Sequence, residues 1–399
     1  MKDFKILLLP LLLLSAAAYP LKADQFQLSL FQTGADNLYQ TALGTSDRIS
    51  SFALSWNGRA GRFTLFADGD YAYLWRSTGL SYLTLGGGAD YLYAPGEKTA
   101  LYVSLEGRGA LYRSDYDDFN YGAVRLTAAV KTYLSPTSIL KASALSEYRS
   151  FRTEIFNALS QTLNLSLDKY FQTKTTLKAE AGWGYKYFLQ PQAAGTIAAE
   201  AAAPAPLGGG VNSGSGPGGW RSGRGGGVQA PFLYRSSGKG IQIASLSGLV
   251  AQGLGDRVGF RLTGIRQWFL SGENPFTYVE EFYMVENPTY DDFSWEGFGW
   301  NAQLTFLMPW EAELKAGYSA GRKEFPGIEA LGLEGTGLGM MRKDTRRQFE
   351  VRVEKDFARM SLFLAYAHIR NDSNDPLFHW NGGFISGGLV WNFATGAVQ

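Results

Sequence analysis

The stretch from Thr173 to Phe188 reads TKTTLKAEAGWGYKYF and decides the fold class. Successive side chains of a β-strand point to opposite faces of the sheet. Odd positions from Leu177 to Tyr187 are apolar or aromatic, whereas the even positions include Lys178 and Glu180. The stretch is far longer than a usual globular strand of about 5–6 residues. It predicts a strand with one apolar and one polar face, long enough to cross a bilayer at a tilt.

The same alternation recurs between Asp24 and Phe393, in sixteen segments. Their connections alternate in length: 57–60, 135–137 and 255–256 are short, whereas 189–239, 271–295 and 324–344 are long, and only 76–78 breaks the rule. Membrane barrels of the outer-membrane type have short periplasmic turns and longer external loops. We therefore predict an all-β protein, a transmembrane antiparallel β-barrel of about 16 strands with both ends in the periplasm.

Composition narrows the function classes. The 399 residues include 49 Gly, 26 Phe, 22 Tyr and 10 Trp, but 2 His and no Cys. Without cysteine there is no disulfide framework, thiolate metal site or cysteine nucleophile. Lys and Arg number 37 against 36 Asp and Glu, so net charge gives no reason to expect a nucleic-acid partner. We expect no cofactor and no metal site.

The first residues have the pattern of a secretory signal peptide. Lys2 and Lys5 precede an apolar run from Ile6 to Ala18, and the small Ala23 is followed by polar residues. This order of charged, apolar and small residues is typical of an exported chain. We predict a signal peptide over 1–23, a barrel over 24–393 and a periplasmic tail over 394–399. A single membrane anchor and a cleavage after Ala18 are the alternatives.

The last segment carries a motif as well as a pattern. Residues 387–393 read GGLVWNF, in which Gly388 is followed by alternating apolar residues that end at Trp391 and Phe393. This resembles the C-terminal β-signal of bacterial outer-membrane β-barrels, the porin-like proteins of Gram-negative-type bacteria. The resemblance implies placement in the bacterial outer membrane and recognition by the barrel-assembly machinery. Tyr and Trp at the segment ends suit the aromatic girdles of such barrels.

Charged residues on the polar face are the candidate pore lining. They are Arg62, Asp68, Asp70, Asp90, Glu106, Arg108, Arg125, Lys131, Lys141, Glu147, Arg149, Lys178, Glu180, Lys186, Arg261 and Lys315. Cations dominate the fifth to ninth segments, and the acidic Asp68, Asp70 and Asp90 lie on the third and fourth. Opposed clusters of this kind would produce a transverse field on a permeating solute. The alternative is that the charges neutralise one another and fill the interior.

Two long loops could restrict the passage. Residues 189–239 form an Ala- and Gly-rich segment that we expect to be a flexible external loop. Its Trp220, Arg221 and Arg224 are candidates to fold inward and constrict the pore. The loop over 271–295 is aromatic and acidic, which suits either a lid packed on the barrel rim or sugar binding.

Passive diffusion of small hydrophilic solutes is the function that the pattern favours, because about 16 strands leave an aqueous channel. The alternative is a non-channel outer-membrane barrel acting in export, surface display or ligand binding through its external loops. A rim hydrolase would need His379 beside Asp372 and Ser373, and we expect no enzyme. The expected partners are outer-membrane lipid and lipopolysaccharide, the assembly machinery, small solutes and, in a homotrimer, other copies of the chain.

Overall fold

A computed structural model describes residues 22–42, 44–189, 240–276, 287–332 and 336–394. Every strand pairs antiparallel with its neighbours in sequence, and the first strand pairs with the last, so the sheet closes into a sixteen-stranded barrel. This confirms the predicted fold class and strand number. The strands are β1 (Lys22–Ala35), β2 (Asp47–Ala60), β3 (Phe63–Leu74), β4 (Tyr82–Tyr93), β5 (Thr99–Tyr112), β6 (Tyr121–Ser135), β7 (Ser138–Phe151), β8 (Ala158–Tyr170), β9 (Thr175–Phe188), β10 (Ile241–Leu254), β11 (Val258–Ser271), β12 (Glu296–Leu307), β13 (Ala312–Leu331), β14 (Gly337–Asp356), β15 (Met360–Ser373) and β16 (Trp380–Ala394).

The two ends of the barrel differ in their connections. Seven short turns join the strands at one end, the short-turn end, and at two of them Gly61 and Gly255 adopt positive φ angles that favour glycine. The other end, the long-loop end, carries 3₁₀ turns at Thr78–Leu80, Ser114–Phe119, Glu154–Phe156 and Pro376–Phe378. A further 3₁₀ turn at Pro309–Glu311 lies at the short-turn end. In the described ranges, no helix is long and apolar enough to span a membrane.

The connection between β13 and β14 corrects the prediction. We expected strands over 311–323 and 345–356 with a long loop over 324–344, but both strands extend into that range, and Leu331 is still a register partner of Gly337. Pro326 and Gly327 are residues typical of loops, and they lie where the register shifts after Glu324. Phe325 and Ile328 are almost fully buried in this extension, so packing holds it in place.

The outer face of the barrel is apolar through its middle. Leu163, Leu165, Leu246 and Leu364 lie on it, and each exposes more than half of its surface. Arginines lie on this face toward the long-loop end, and the deepest of them, Arg266, faces Leu246. Between these arginines and the short-turn end, outer-face positions of the described strands hold no Asp, Glu, Lys or Arg. A soluble protein rarely exposes an apolar band of this extent, whereas a lipid environment requires one.

The core lies inside the barrel, at the long-loop end. Phe276 packs on Phe156 and Phe188, with ring centroids 5.5 and 5.4 Å apart. Phe293 and Leu80 belong to the same buried cluster, which lines the inner wall from β1 to β10. The described parts of the 271–295 loop therefore pack inward against the wall, as the lid alternative predicts.

Some predictions fall wholly or partly outside the described residues. The segment 1–21 of the signal peptide, residues 190–239 and the tail residues 395–399 lie there, as do Trp220, Arg221 and Arg224. The first strand begins at Lys22, two residues before the predicted start of the barrel.

Candidate pore-lining site

A row of alternating charges crosses the inner face of β5, β6 and β7. Glu106, Arg125 and Glu147 are successive register partners on these three strands. Arg125 donates from Nε to Glu147 at 2.7 Å, and its guanidinium lies 3.7 Å from Glu106. Residues directly opposite each other on antiparallel strands have neighbouring side chains, so opposite charges there attract. The barrel wall thus builds an ion-pair network from three consecutive strands.

Two further arginines complete this network. Arg149 pairs with Glu147, and Arg108 lies 3.2 Å from Glu106. The side chain of Glu147 is only 5% exposed, so its charge depends on the two guanidinium groups beside it. Three cations therefore share two carboxylates, which leaves this stretch of wall with one excess positive charge.

The neighbouring cations are paired one to one. Lys141 Nζ lies 2.5 Å from Asp168, and Lys178 Nζ lies 2.6 Å from Glu180. Lys186 reaches Asp291 of the inward-packed loop at 2.5 Å. Sequence reasoning missed Asp291 as a partner because it lies 105 residues further along the chain, in a segment without periodicity.

The acidic side of the wall lies on β3 and β4. Asp90 accepts a hydrogen bond from the hydroxyl of Tyr102 at 2.8 Å. The Oδ1 atom of Asp70 is buried without a hydrogen-bond partner, and the carboxylate of Asp68 lies against Gly86, where a Cβ would be 2.9 Å away. Within the described ranges, none of these three carboxylates forms an ion pair. The wall therefore has a paired, cation-rich side and an unpaired acidic side.

The remaining candidates are separate from this network. Lys131 hydrogen-bonds Tyr133 on the same strand, Lys315 lies between Glu313 and Glu354, and Arg261 faces inward on β11. Arg62 departs from the expected arrangement: it lies in the turn between β2 and β3, and its guanidinium stacks over outward-facing Tyr93 at 5.3 Å. Because Arg62 lies in a turn, the alternation of faces along a strand does not determine where its side chain points.

The long-loop end contains a second, buried ion pair. Arg342 is 1% exposed, donates to Asp344 at 2.5 and 3.1 Å, and lies 3.3 Å from the ring centroid of Phe378. Nearby, Asp375 accepts the backbone N–H groups of Leu331 and Leu377. Burial raises the pKa of Asp375, and those two hydrogen bonds oppose the rise. These contacts fasten the β15–β16 loop to the extended hairpin.

The residues of the hydrolase alternative do not form a catalytic arrangement. His379 Nδ1 lies 3.8 Å from Asp372, beyond hydrogen-bonding distance, and the Ser373 hydroxyl accepts the N–H of Asp375. Among the described residues there is no group of His, Asp and Glu side chains that could hold a metal ion.

The three residues of the predicted β-signal do not share one face of the last strand. Trp391 and Phe393 stack at 5.0 Å on the outer face near the short-turn end. Gly388 faces inward, where the rings of Phe31 and Phe363 approach each other across it at 5.7 Å.

Comparisons with known proteins give matches only among solved structures, and only at low identity. No protein-family model matches the chain, and no curated protein sequence matches it. Among solved structures, Pseudomonas aeruginosa OpdO is 11% identical with a TM-score of 0.49, covering 94% of this chain and 97% of that one. Acinetobacter baumannii OccAB1 gives the same four values. The outer membrane protein OpdK from Pseudomonas aeruginosa is 11% identical with a TM-score of 0.45, covering 93% and 99%.

Proposed function

We propose that this protein is a bacterial outer-membrane channel through which small hydrophilic solutes diffuse. The observation that carries the proposal is the contrast between the two faces of one closed sheet. Between the outward arginines and the short-turn end, the outer face of the described strands carries no Asp, Glu, Lys or Arg. The inner face carries ion pairs on β5 to β9 and unpaired carboxylates on β3 and β4. A closed barrel satisfies every backbone group within lipid, and sixteen strands leave room for water.

The orientation follows from the connections. Short turns of membrane barrels face the periplasm and longer loops face outward. The long-loop end is accordingly the external end, and the aromatic cluster around Phe276 narrows the external entrance. A solute would pass this apolar layer and then meet the charged walls, with cations concentrated on β5 to β9 and carboxylates on β3 and β4.

Liposome swelling tests the proposal directly. We expect liposomes that contain the purified protein to swell in isotonic solutions of small neutral sugars, at a rate that falls as the sugar becomes larger. Swelling no faster than in protein-free liposomes, from protein shown to be folded by its gel mobility, would contradict a channel. It would favour a non-channel barrel that acts through its external loops.

We propose further that Trp220, Arg221 and Arg224 constrict the passage. The support is compositional: a Gly-rich segment can fold back into a lumen, and these are its bulky and charged members. Deleting residues 205–228 should raise the limiting sugar size, and an unchanged limit would remove this segment from the restriction.

A further inference from the structure

Five cations gather on the outer face of the barrel at its external rim. This basic rim cluster consists of Arg266 on β11, Arg322 on β13, Lys343 and Arg347 on β14, and Arg370 on β15. The strand register brings them together. Arg266 and Arg322 are both register partners of Phe298 on β12, which lies between their strands. Arg347 and Arg370 are direct register partners on β14 and β15. None of them was among the sequence candidates, because they share strand parity with lipid-facing residues.

The pairing of Arg347 with Arg370 is unfavourable by itself. Like charges directly opposite each other on antiparallel strands repel. Arg370 is compensated by Asp372, whose Oδ1 lies 2.9 Å from its Nε. Arg347 forms no ion pair among the described residues and is exposed on the outer face. An anion held between the two guanidinium groups would relieve this repulsion.

The rest of the cluster is also short of carboxylates. Arg322 and Lys343 share one, Glu324, at 2.9 and 3.1 Å. Arg266 forms no ion pair with a described residue, and its guanidinium lies 5.8 Å from the ring centroid of Trp268. The nearby carboxylate of Glu296 accepts the backbone N–H of Phe269. The cluster therefore keeps a positive excess after every described ion pair has been counted.

An apolar surface continues directly from the cluster toward the middle of the band. Phe349 and Tyr318 are register partners one row below the facing arginines, and Trp300 contacts Tyr318 with centroids 5.5 Å apart. All three rings are outward and exposed by about two fifths. A ligand that fits this surface has phosphate groups at one end and hydrocarbon chains at the other.

We propose that the basic rim cluster binds the phosphate groups of a phosphorylated glycolipid of the outer leaflet, with its acyl chains against Phe349, Tyr318 and Trp300. Arginine forks match phosphate oxygens in two-point hydrogen bonds, and cations near a membrane surface attract anionic head groups. This proposal rests on the proposed placement in the outer membrane. The continuous apolar surface favours a lipid over free phosphate, which would leave those rings unoccupied.

Binding of lipid A by the purified full-length protein in detergent tests the proposal. The ligands are bisphosphorylated lipid A, its dephosphorylated form and inorganic phosphate. We expect binding of the first only, and the triple variant R266Q/R347Q/R370Q should bind it at least about tenfold more weakly, since hydrogen bonds to charged groups contribute that much.

The matched control removes three arginines from the same rim on the other side of the barrel, as R48Q/R113Q/R152Q. It should retain wild-type affinity. Equal losses in the two triple variants would overturn the proposal in favour of unspecific attraction. Equal affinity for lipid A and for its dephosphorylated form would contradict the phosphate contact. Inorganic phosphate that displaces lipid A when the two are present at equal concentration would overturn the lipid site in favour of a free-anion site.

The swelling assay keeps this proposal separate from the channel. The cluster variant should pass sugars as the wild type does, because its substitutions lie on the outer face. Lipid binding without swelling would contradict the channel alone. Swelling without lipid binding would contradict the lipid site alone.

Discussion

At the scale of single residues, Gly388 shows how one position can serve both a motif and a packing contact. A Cβ at this position would lie 2.3 Å from a ring carbon of Phe31, 2.7 Å from Phe363 and 2.9 Å from the backbone oxygen of Leu30. No real Cβ tolerates such distances, so the two rings can cross the strand only where a glycine lies.

We therefore predict that G388A destabilises the barrel by about 1–3 kcal/mol, the usual range for an overpacked site. The urea midpoint of the purified, lipid-reconstituted protein measures the effect. G387A is the matched control on the adjacent position, because its Cβ would meet its nearest atom at an ordinary 3.5 Å.

A second substitution separates packing from signal recognition. If Gly388 matters because of the packed rings, F31L should restore part of the stability that G388A loses, because it removes the closest contact while the contacts with Phe363 and Leu30 remain. A double variant as unstable as G388A would contradict the packing explanation, and poor membrane insertion with restored stability would indicate recognition by the assembly machinery.

Asp292 gives the external layer a dependence on pH. The side chain of Asp292 is exposed to solvent, but the protein atoms packed around it partly desolvate the carboxylate and raise its pKa above the ordinary value of 3.8. The neighbouring charge of Asp291 adds to the rise, and Lys323 opposes it. The packed loop thus binds this proton more tightly than the opened loop. Acidification through the raised pKa should stabilise the packed loop, and the gain is complete below the ordinary value.

We predict that amide hydrogen exchange in residues 287–295 is slower at pH 4, close to the ordinary pKa of a carboxyl, than at pH 7, after correction for the intrinsic exchange rate. D292N should remove this difference. D256N serves as the control, because Asp256 lies in a turn at the opposite end, where its hydrogen bond with Lys174 lowers its pKa. A pH effect that persists in D292N would assign the titration to another group.

At the scale of elements, Phe276 is a buried aromatic anchor of the inward-packed loop. Phe276 is 1% exposed and contacts rings from the β7–β8 connection and from β9. Replacing a buried phenylalanine with alanine costs about 3–5 kcal/mol in a core that cannot collapse. This exceeds the stability of many local structures, so the loop should open.

We predict that F276A increases proteolytic cleavage within 272–295 and raises the single-channel conductance. F298A is the control, since Phe298 is 48% exposed on the outer face and contributes nothing to this layer. Unchanged cleavage and conductance in F276A would show that the loop is held elsewhere.

Alternating strands were predictable because a two-residue period records which face each side chain occupies. The β13–β14 extension was not, since its buried Phe325 and Ile328 follow no alternation across the register shift. Strand parity found the inner charges, including Glu147. It could not find Asp291 or Arg342, which act through contacts between loops and walls that are distant in sequence. The outward arginines were overlooked because the alternation shows which face a side chain occupies, but not whether it lies at the rim or in the middle of the membrane.

At the scale of the whole molecule, near-zero net charge conceals a division into surfaces. The mid-depth outer face of the described strands lacks charge, and the external rim carries arginines. The inner wall has an acidic stretch on β3 and β4 directly beside the paired, cation-rich stretch on β5 to β9. On β5 to β9 each inner carboxylate has a cationic partner, so ion pairing weakens the transverse field that the sequence predicts. The unpaired carboxylates on β3 are the part of that field with least compensation.

Single-channel current across a planar bilayer under a salt gradient tests the central claim, an open lumen with a charged wall. The account predicts discrete current steps in the wild type, and a reversal potential that moves toward the anion value in D68N/D70N because two inner negative charges are removed. Folded protein that produces no steps would contradict the open lumen. Steps with a reversal potential identical in the wild type and D68N/D70N would contradict the charged wall.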